Sequence, residues 1–197
     1  ILNNDIDCGD PTSGNDTSIW NEGAGFAPIG DCWGTEFSGS FNGNGHVITD
    51  LFINRPTTDR QALFGCTTAG ATIQKVGMIN VQITGQRYAG GIVGILSGAG
   101  STVSNSYVTG NITLVLGAEA GSGQYAGGIA AGLEAGATLV NSYSTAVVTT
   151  SYPDELYGEG RLVGYNYSST VTNSFWDTQV SGEPFSAGGT GKTTSDM

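Results

Sequence analysis

Two short sequence signatures recur along this chain, and their spacing constrains the fold more than any other feature. An apolar, glycine-containing signature stands at residues 62–65, 89–94, 126–131 and 160–164. An Asn-Ser-aromatic triplet follows each of the last three copies, beginning at Asn105, Asn141 and Asn173, with spacings of 36 and 32 residues. Repeats of this length are typical of stacked units, none of which buries its apolar face alone. The chain is therefore predicted to be a repeat protein.

The residue types within each repeat favour strands over helices. Residues 46–53, 73–84, 103–116 and 139–149 are rich in Val, Ile, Thr and Tyr, which are typical of strands. We therefore predict an all-β fold, a right-handed parallel β-helix (β-solenoid) with one repeat of about 30–37 residues per coil. Successive coils of such a solenoid pair in parallel about 4.8 Å apart.

Glycine punctuates these predicted strands. The chain has 33 glycines among 197 residues, more than twice the usual share of about 7%. The paired glycines at 90–91 and 127–128 are predicted to mark turns with positive φ or places where two backbones approach closely.

The chain is predicted to form one domain with three parts. Residues 1–61 form an acidic N-terminal solenoid segment with a Cys-containing insertion, residues 62–178 the repeat coils, and residues 179–197 a Gly- and Thr-rich closing tail. No apolar run reaches the ~18 residues of a membrane-spanning helix, so we expect no membrane insertion. Since the chain starts without a Met or a leader-like sequence, we expect a mature form or an excised segment.

Equivalent positions of successive coils lie above one another in a solenoid. The first residues of the triplets are therefore predicted to form an amide ladder of Asn105, Asn141 and Asn173. The third residues are predicted to form an aromatic stack of Tyr107, Tyr143 and Phe175. Two interpretations of this aromatic row stay open: it fixes the register between coils, or it is a sugar-binding strip.

The charge distribution excludes one class of partner. The chain has 17 acidic and 6 basic residues, a net charge of −11. Because phosphate contacts need clustered Lys and Arg, a nucleic-acid partner is excluded. Residues 1–54 contain eight acidic residues and no Lys or Arg. The repeat coils are therefore nearly neutral, which favours their stacking.

Three cysteines leave one thiol over if a disulfide forms. We expect a bridge between Cys8 and Cys32, which would close a loop over the acidic N-terminal region, and leave the partner of Cys66 open. The alternative is three buried thiols in a reducing compartment. A zinc site is not expected, because the chain has no CxxC pair and His46 is its only histidine.

The acidic N-terminal region also offers a candidate metal site. Asp5, Asp7 and Asp10 present alternating carboxylates, and oxygen-rich clusters of this kind suit Ca²⁺. The alternative is that these side chains cap turns by bonding to nearby backbone N–H groups. No other cofactor is expected.

Two further motifs have weaker implications. Asn15, Asn111 and Asn166 stand in N-glycosylation sequons, which matter only if the source organism glycosylates such sites. Residues 186–193 superficially resemble a phosphate-binding P-loop. The segment lacks the first glycine of that motif and has only four residues after it to form a helix, so nucleotide binding is not expected.

Several stretches resemble one known repeat family. Residues 90–94, Gly-Gly-Ile-Val-Gly, followed by Val-Ser-Asn-Ser-Tyr-Val-Thr-Gly at 103–110, resemble the GLUG repeat of bacterial extracellular proteins. Residues 38–53 look like the segment that precedes such repeats, and residues 173–177 with 188–194 resemble their closing portion. The resemblance implies a β-solenoid. Such repeats accompany other domains in adhesin-like surface proteins and in IgA-cleaving metallopeptidases, where they are not the catalytic part.

We therefore expect an extracellular structural or adhesive module of a cell-surface protein, and no enzyme. One alternative is a filament subunit that stacks end to end, because a solenoid presents strand edges at both ends. The other is a glycan-binding or glycan-cleaving β-helix that uses exposed Trp20, Trp33, Trp176 or tyrosines. Catalysis is disfavoured because the repeat positions contain no ladder of acidic residues. The expected partners are copies of the chain, other cell-surface components or glycans.

Overall fold

The computed structural model describes residues 1–9, 16–115, 123–151, 158–180 and 185–197. The protein is all-β, with 53% strand and 6% helix, and its parallel sheets stack as a β-solenoid of about four turns. The predicted all-β solenoid is thus confirmed. Within these ranges, no helix has the length and apolar character needed to span a membrane.

The described segments contain twenty strands and two 3₁₀ segments, Thr17–Gly23 and Thr194–Asp196. In chain order the strands are β1 Ile6–Asp7, β2 Ser40–Asn42, β3 Val47–Thr49, β4 Phe52–Gln61, β5 Phe64–Cys66, β6 Thr72–Gln74, β7 Gly77–Gly90, β8 Val93–Ser97, β9 Thr102–Ser104, β10 Tyr107–Val115, β11 Tyr125–Gly127, β12 Ala130–Glu134, β13 Thr138–Val140, β14 Tyr143–Ser144, β15 Val147–Thr150, β16 Gly158–Gly160, β17 Val163–Tyr167, β18 Thr170–Thr172, β19 Phe175–Asp177 and β20 Thr190–Lys192.

Three sheets run along the solenoid axis. The largest follows the order β1-β3-β7-β10-β14-β19-β20, with β4, β11, β15 and β16 attached to it. The second has the order β17-β12-β8-β5, and the third β18-β13-β9-β6-β2. The pairings between these described strands are parallel, as expected when each coil places the same segment beside its predecessor.

The register shows that one sequence repeat forms one coil. Gly77 pairs with Tyr107, Tyr107 with Tyr143, and Tyr143 with Phe175. The side-chain bonds between successive coils join residues 30, 36 and 32 positions apart, in agreement with the predicted repeat length.

The core is a set of apolar columns parallel to the axis. Short strands alternate between half-exposed and buried positions, because successive side chains of a strand point to opposite faces. Two fully buried columns are Ile48, Met78, Val108 and Ile73, Val103, Leu139. Removing such side chains from water, at roughly 25 cal/mol per Å² of apolar surface, is the main contribution that stabilises the coils.

The paired glycines allow the backbones of successive coils to approach each other. None of the four has a positive φ. A Cβ on Gly91 would lie 2.4 Å from the carbonyl oxygen of Gly128, and a Cβ on Gly128 would lie 2.4 Å from that of Arg161. Close approach, rather than a left-handed backbone, is thus the reason for glycine at these corners.

The Asn-Ser-aromatic triplet has a different role at each position. Its asparagines Asn105, Asn141 and Asn173 adopt the left-handed conformation, with φ of 50°, 50° and 45°, which asparagine tolerates better than most residues. Asn141 Nδ2 donates to Asn105 Oδ1 at 3.4 Å. The rings of Tyr107 and Tyr143 stack in parallel with centroids 5.1 Å apart.

The central serines join the coils, a role that we did not predict. The buried hydroxyls of Ser106, Ser142 and Ser174 accept hydrogen bonds at 3.2 Å from the backbone N–H groups of Val76, Ser106 and Ser142. Each hydroxyl also donates to the carbonyl oxygen two residues earlier, at 2.8–2.9 Å. A column of serine side chains therefore satisfies buried N–H groups where the coil turns.

The predicted disulfide between Cys8 and Cys32 is wrong. Cys32 bonds to Cys66, with their Cα atoms 5.3 Å apart. The reason is topological: Ile29 bridges to Phe64 and Phe37 to Thr67, so the segment that contains Cys32 lies along β5.

Cys8 carries a buried free thiol. Its backbone N–H donates to the carbonyl oxygen of Thr49 at 2.9 Å. Burial, followed by the charges of Asp7 and Asp50, raises the pKa of the Cys8 thiol to about 11. The thiol is therefore protonated at neutral pH.

Both ends of the solenoid are covered by irregular segments. At the C-terminal end, Ala187 donates to Val163 at 2.8 Å, Ser186 Oγ accepts from the same residue at 3.0 Å, and β20 pairs with β19. At the N-terminal end, β1 pairs with β3, and the segment around Cys32 lies along β5. Part of the strand edge at each end is thereby covered.

Candidate functional site

A groove of about 630 Å³ opens on the side of the first two coils, next to the disulfide. It is lined by Pro28, Gly30–Trp33, Arg55, Thr57–Gln61, Gln86, Arg87 and Gln124, and we call it the Trp33 groove. Its volume is within the range of small-molecule sites in proteins.

A local irregularity of β4 forms one wall of the Trp33 groove. Asn54 pairs with Thr84 of β7, but the next pair is Asp59 with Gln86. Residues 55–58 therefore oppose the single residue Gly85, and the extra residues provide part of the groove lining.

Half of the basic residues of the chain line the groove. Arg55, Arg60 and Arg87, three of the six basic residues, line it together with Asp31 and Asp59. In a chain of net charge −11, this is a local excess of positive charge.

One carboxylate is shared by two of the arginines. Asp59 Oδ2 lies 3.6 Å from Arg60 Nη1 and 3.7 Å from Arg87 Nη1. Both distances exceed the usual limit for an N–H···O hydrogen bond. Arg55, in contrast, donates to the backbone carbonyl oxygens of Phe26 and Gly25 at 3.2 and 3.4 Å. Arg60 and Arg87 thus retain donors for a bound anion, whereas Arg55 supports the groove wall.

An aromatic stripe borders the groove. The guanidinium carbon of Arg60 lies 5.2 Å from the ring centroid of Trp33 and 5.4 Å from that of Tyr88. Tyr125 continues the row, with its centroid 5.8 Å from Tyr88 and 4.6 Å from Tyr165. The Trp33 side of this row faces solvent, because Trp33 is 80% exposed.

Two glutamines bring unused acceptors to the groove. Gln61 and Gln124 are 2% and 1% exposed, and within the described ranges their Oε1 atoms have no hydrogen-bond partner. Gln61 Nε2 donates to the carbonyl oxygen of Asp59 at 2.7 Å, and its side chain lies over Gly85, where a Cβ would be 2.7 Å away. A buried acceptor without a partner costs about 1–3 kcal/mol, so these two oxygens destabilise the groove wall as it stands.

One acidic group of the groove has a lowered pKa. Hydrogen bonds from the backbone N–H of Trp33 and then from Thr35 lower the pKa of Asp31. Asp59 faces two guanidinium groups. A lowered pKa, as at Asp31, is the opposite of what a general acid requires.

Two of the three predicted calcium ligands are engaged with nearby groups. Asp5 Oδ1 accepts from the backbone N–H of Val47 at 3.0 Å and contacts His46 Nδ1 at 2.9 Å, and these bonds lower the pKa of Asp5. Asp7 accepts from the backbone N–H of Gly9 at 3.0 Å. Asp10 lies outside the described residues. In the parts of the chain that the structure describes, no three His, Cys, Asp or Glu residues are grouped so as to hold a metal ion.

The predicted glycosylation sites have different environments. Asn111 is exposed on β10. Asn166 is partly buried, and its Oδ1 accepts from the backbone N–H of Ser169 at 3.2 Å. Asn15 lies outside the described residues.

Of the three tryptophans predicted as glycan-binding residues, only Trp33 is exposed. Trp176 is 7% exposed, and Trp20 is half-buried, with its ring centroid 6.4 Å from that of Phe26. Sequence reasoning missed Arg60, Arg87 and the glutamines. One available signal was that four of the six basic residues fall between positions 55 and 87.

The aromatic row of the triplets lies apart from the Trp33 groove. Tyr107, Tyr143 and Phe175 occupy matching register positions, and Lys192 Nζ lies 4.1 Å from the Phe175 ring centroid. The parallel stacking of the first two rings favours the interpretation that this row aligns the coils.

The fold and register define the chain as a β-solenoid repeat protein. Residues 85–113, which extend from β7 through β8 and β9 into β10, match the GLUG motif. The chain therefore carries the GLUG motif, and the predicted resemblance is confirmed.

Two similar proteins extend this comparison. Halomucin from Haloquadratum walsbyi is 33% identical over 154 residues, which are 78% of this chain and 2% of halomucin. The crystal structure of a Bacteroides ovatus protein described as a "putative immunoglobulin A1 protease" has a TM-score of 0.51 and 16% identity. The match covers 99% of this chain and 77% of that chain. The second likeness shows the fold alone.

Proposed function

We propose that this chain is an extracellular structural or adhesive module of a larger cell-surface protein. The observation that carries the proposal is its similarity, over 78% of its length, to 2% of halomucin, a large surface-type protein. A relationship of this kind is expected of a module that is one unit within a long surface chain.

The partial covering of both solenoid ends supports a module rather than a filament subunit. End-to-end stacking needs free strand edges. Here residues 185–187 cover the edge of β17, and the segment around Cys32 covers β5. Terminal segments of this kind limit repeat proteins to a defined length.

A structural role is consistent with the bonds between coils. The serine column and the stacked rings of Tyr107 and Tyr143 connect coils through side chains as well as through backbone pairs. These contacts give a stiff body with polar side chains on its surface. Such a body is suited to hold a binding surface away from a cell.

The test is surface labelling of source cells with antibodies raised against the purified chain. We expect intact, unpermeabilised cells to be labelled as strongly as permeabilised ones. An antibody against a cytoplasmic protein, which labels only permeabilised cells, is the control. Labelling of the chain only after permeabilisation would contradict the proposal.

A further inference from the structure

We propose that the Trp33 groove binds a carboxylated saccharide, such as an oligosaccharide that contains uronic acid. This inference deepens the proposed adhesive role and rests on it. Most of the groove lies outside the matched residues 85–113, as Trp33, Arg60 and Gln124 do, whereas Gln86 and Arg87 lie within them.

The arginines supply the recognition of the carboxylate. Arg60 and Arg87 are held by one shared carboxylate at distances beyond normal hydrogen bonds, so their N–H groups can turn to a ligand. Guanidinium groups bind carboxylates in a bidentate manner. Arg87, with its side chain 46% exposed, is the more accessible of the two.

The glutamines supply the recognition of hydroxyl groups. Gln61 and Gln124 belong to the groove lining, and their buried Oε1 atoms lack partners in the described structure. Hydroxyl groups of a sugar are donors that satisfy both atoms once the two side chains turn their oxygens into the groove. A purely anionic ligand without hydroxyls, such as a simple carboxylic acid, leaves them unpaired.

Trp33 supplies the apolar contact. A tryptophan that is 80% exposed at the border of a polar groove offers a flat apolar surface with one polar N–H group. The C–H face of a sugar ring fits such a surface. Together the three kinds of group select a ligand with a carboxylate, hydroxyls and a ring.

The test is calorimetric titration of the full chain with a linear trisaccharide of galacturonic acid. The matched ligand is the same trisaccharide with each carboxylate reduced to the primary alcohol. We expect the acidic trisaccharide to bind at least ten-fold more tightly than the reduced one. Binding should weaken as salt is raised, because the ionic part is screened. Equal affinity for both, or no heat with either, would overturn the proposal.

Variants assign the binding to the groove. Arg87→Gln and Trp33→Ala are each expected to weaken binding at least ten-fold. Lys75→Gln removes the same charge at an exposed position outside the groove and should change affinity less than two-fold. An equal loss in Lys75→Gln would show non-specific attraction and overturn the site. Circular dichroism melting of each variant separates loss of binding from loss of fold.

A sulfated trisaccharide of the same length tests the choice of anion. Tighter binding of the sulfated than of the carboxylated sugar would overturn the carboxylate assignment, and weaker binding would support it. If no saccharide binds while intact cells are still labelled, the ligand assignment fails and the surface role stands. If cells are labelled only after permeabilisation, the surface role itself fails.

Discussion

Ser142 Oγ accepts a hydrogen bond of 3.2 Å from the backbone N–H of Ser106, 36 positions earlier in the chain. Both residues are buried, so no water is available to replace the bond. The contact is repeated between Ser174 and Ser142 in the next coil, and it joins coils at the turn that precedes the aromatic stack.

The Ser142→Ala variant should be destabilised by about 1–3 kcal/mol, because the buried N–H of Ser106 loses its acceptor. The free energy of unfolding, measured by chemical denaturation, is the readout. Ser38→Ala, at an exposed serine between strands, is the matched control and should unfold like the unmodified chain. Equal stability of both variants would argue against a role for the serine column.

Position 173 should discriminate between residues according to their tolerance of positive φ. Asn173 has φ of 45° and is exposed, so packing contributes little. Asn173→Gly should leave stability nearly unchanged, whereas Asn173→Val should lose roughly 1–2 kcal/mol. Thermal melting of the pair measures the difference. If valine and glycine are equivalent here, the left-handed backbone is not what selects asparagine.

Reduction of the Cys32–Cys66 disulfide should lower stability by about 2–4 kcal/mol, because the bond closes a long loop across 34 residues. The measurement is the melting temperature with and without a reducing agent. Cys8→Ala should keep this sensitivity to reduction, whereas Cys32→Ser combined with Cys66→Ser should abolish it. If Cys8→Ala lost this sensitivity to reduction, the disulfide would instead have to involve Cys8.

Asp177 should make stability depend on pH below about 4. Burial acts to raise its pKa, but hydrogen bonds from Thr194 Oγ and from the backbone N–H groups of Gln179 and Val180 lower it below the ordinary 3.8. Because the folded-state pKa is lowered, the ionised Asp177 carboxylate stabilises the fold above pH 3.8. This stabilisation is lost as the pH falls through the folded-state pKa. Asp177→Asn should therefore be less stable at pH 7 and lose less stability on acidification. Parallel pH profiles for the two proteins would contradict this.

Truncation after Val180 should promote association of the chain into larger oligomers. The removed segment contains Ser186, Ala187 and β20, which cover the edges of β17 and β19, and an uncovered edge is a template for another chain. Light scattering after size exclusion gives the mass of each species. A truncated chain that stays monomeric would show that these edges do not need covering.

Much of the fold could be predicted from the sequence, because its determinants are periodic. Alternating apolar residues specify the strands, and the recurring triplet specifies the coil length and the register. The pairing of Tyr107 with Tyr143 shows this register. The role of the serines was missed although Ser106, Ser142 and Ser174 hold the same place in each triplet. The flanking asparagines and aromatic residues were assigned roles in the stacking of coils, and the serines between them were not.

The groove and the disulfide could not be predicted, because both depend on how non-repetitive segments cross the coils. Cys32 meets Cys66 only because Ile29 and Phe37 form bridges to the second sheet. Gln61 and Gln124 reach one groove through inter-coil register, although 63 positions separate them in the chain. Neither juxtaposition leaves a local sequence pattern.

The irregular wall of the Trp33 groove has a counterpart in the later coils. Residues 55–58 oppose Gly85 alone. Nine residues separate Val115 from Tyr125 in the chain, whereas one separates their partners Gln86 and Tyr88. Seven residues separate Thr150 from Gly158, where β7 has two between Gly85 and Tyr88. Three coils thus accept extra sequence at one site of the repeat while their registers stay intact. This makes the solenoid a natural display scaffold, in which new loops can be grafted beside the groove without redesigning the coils.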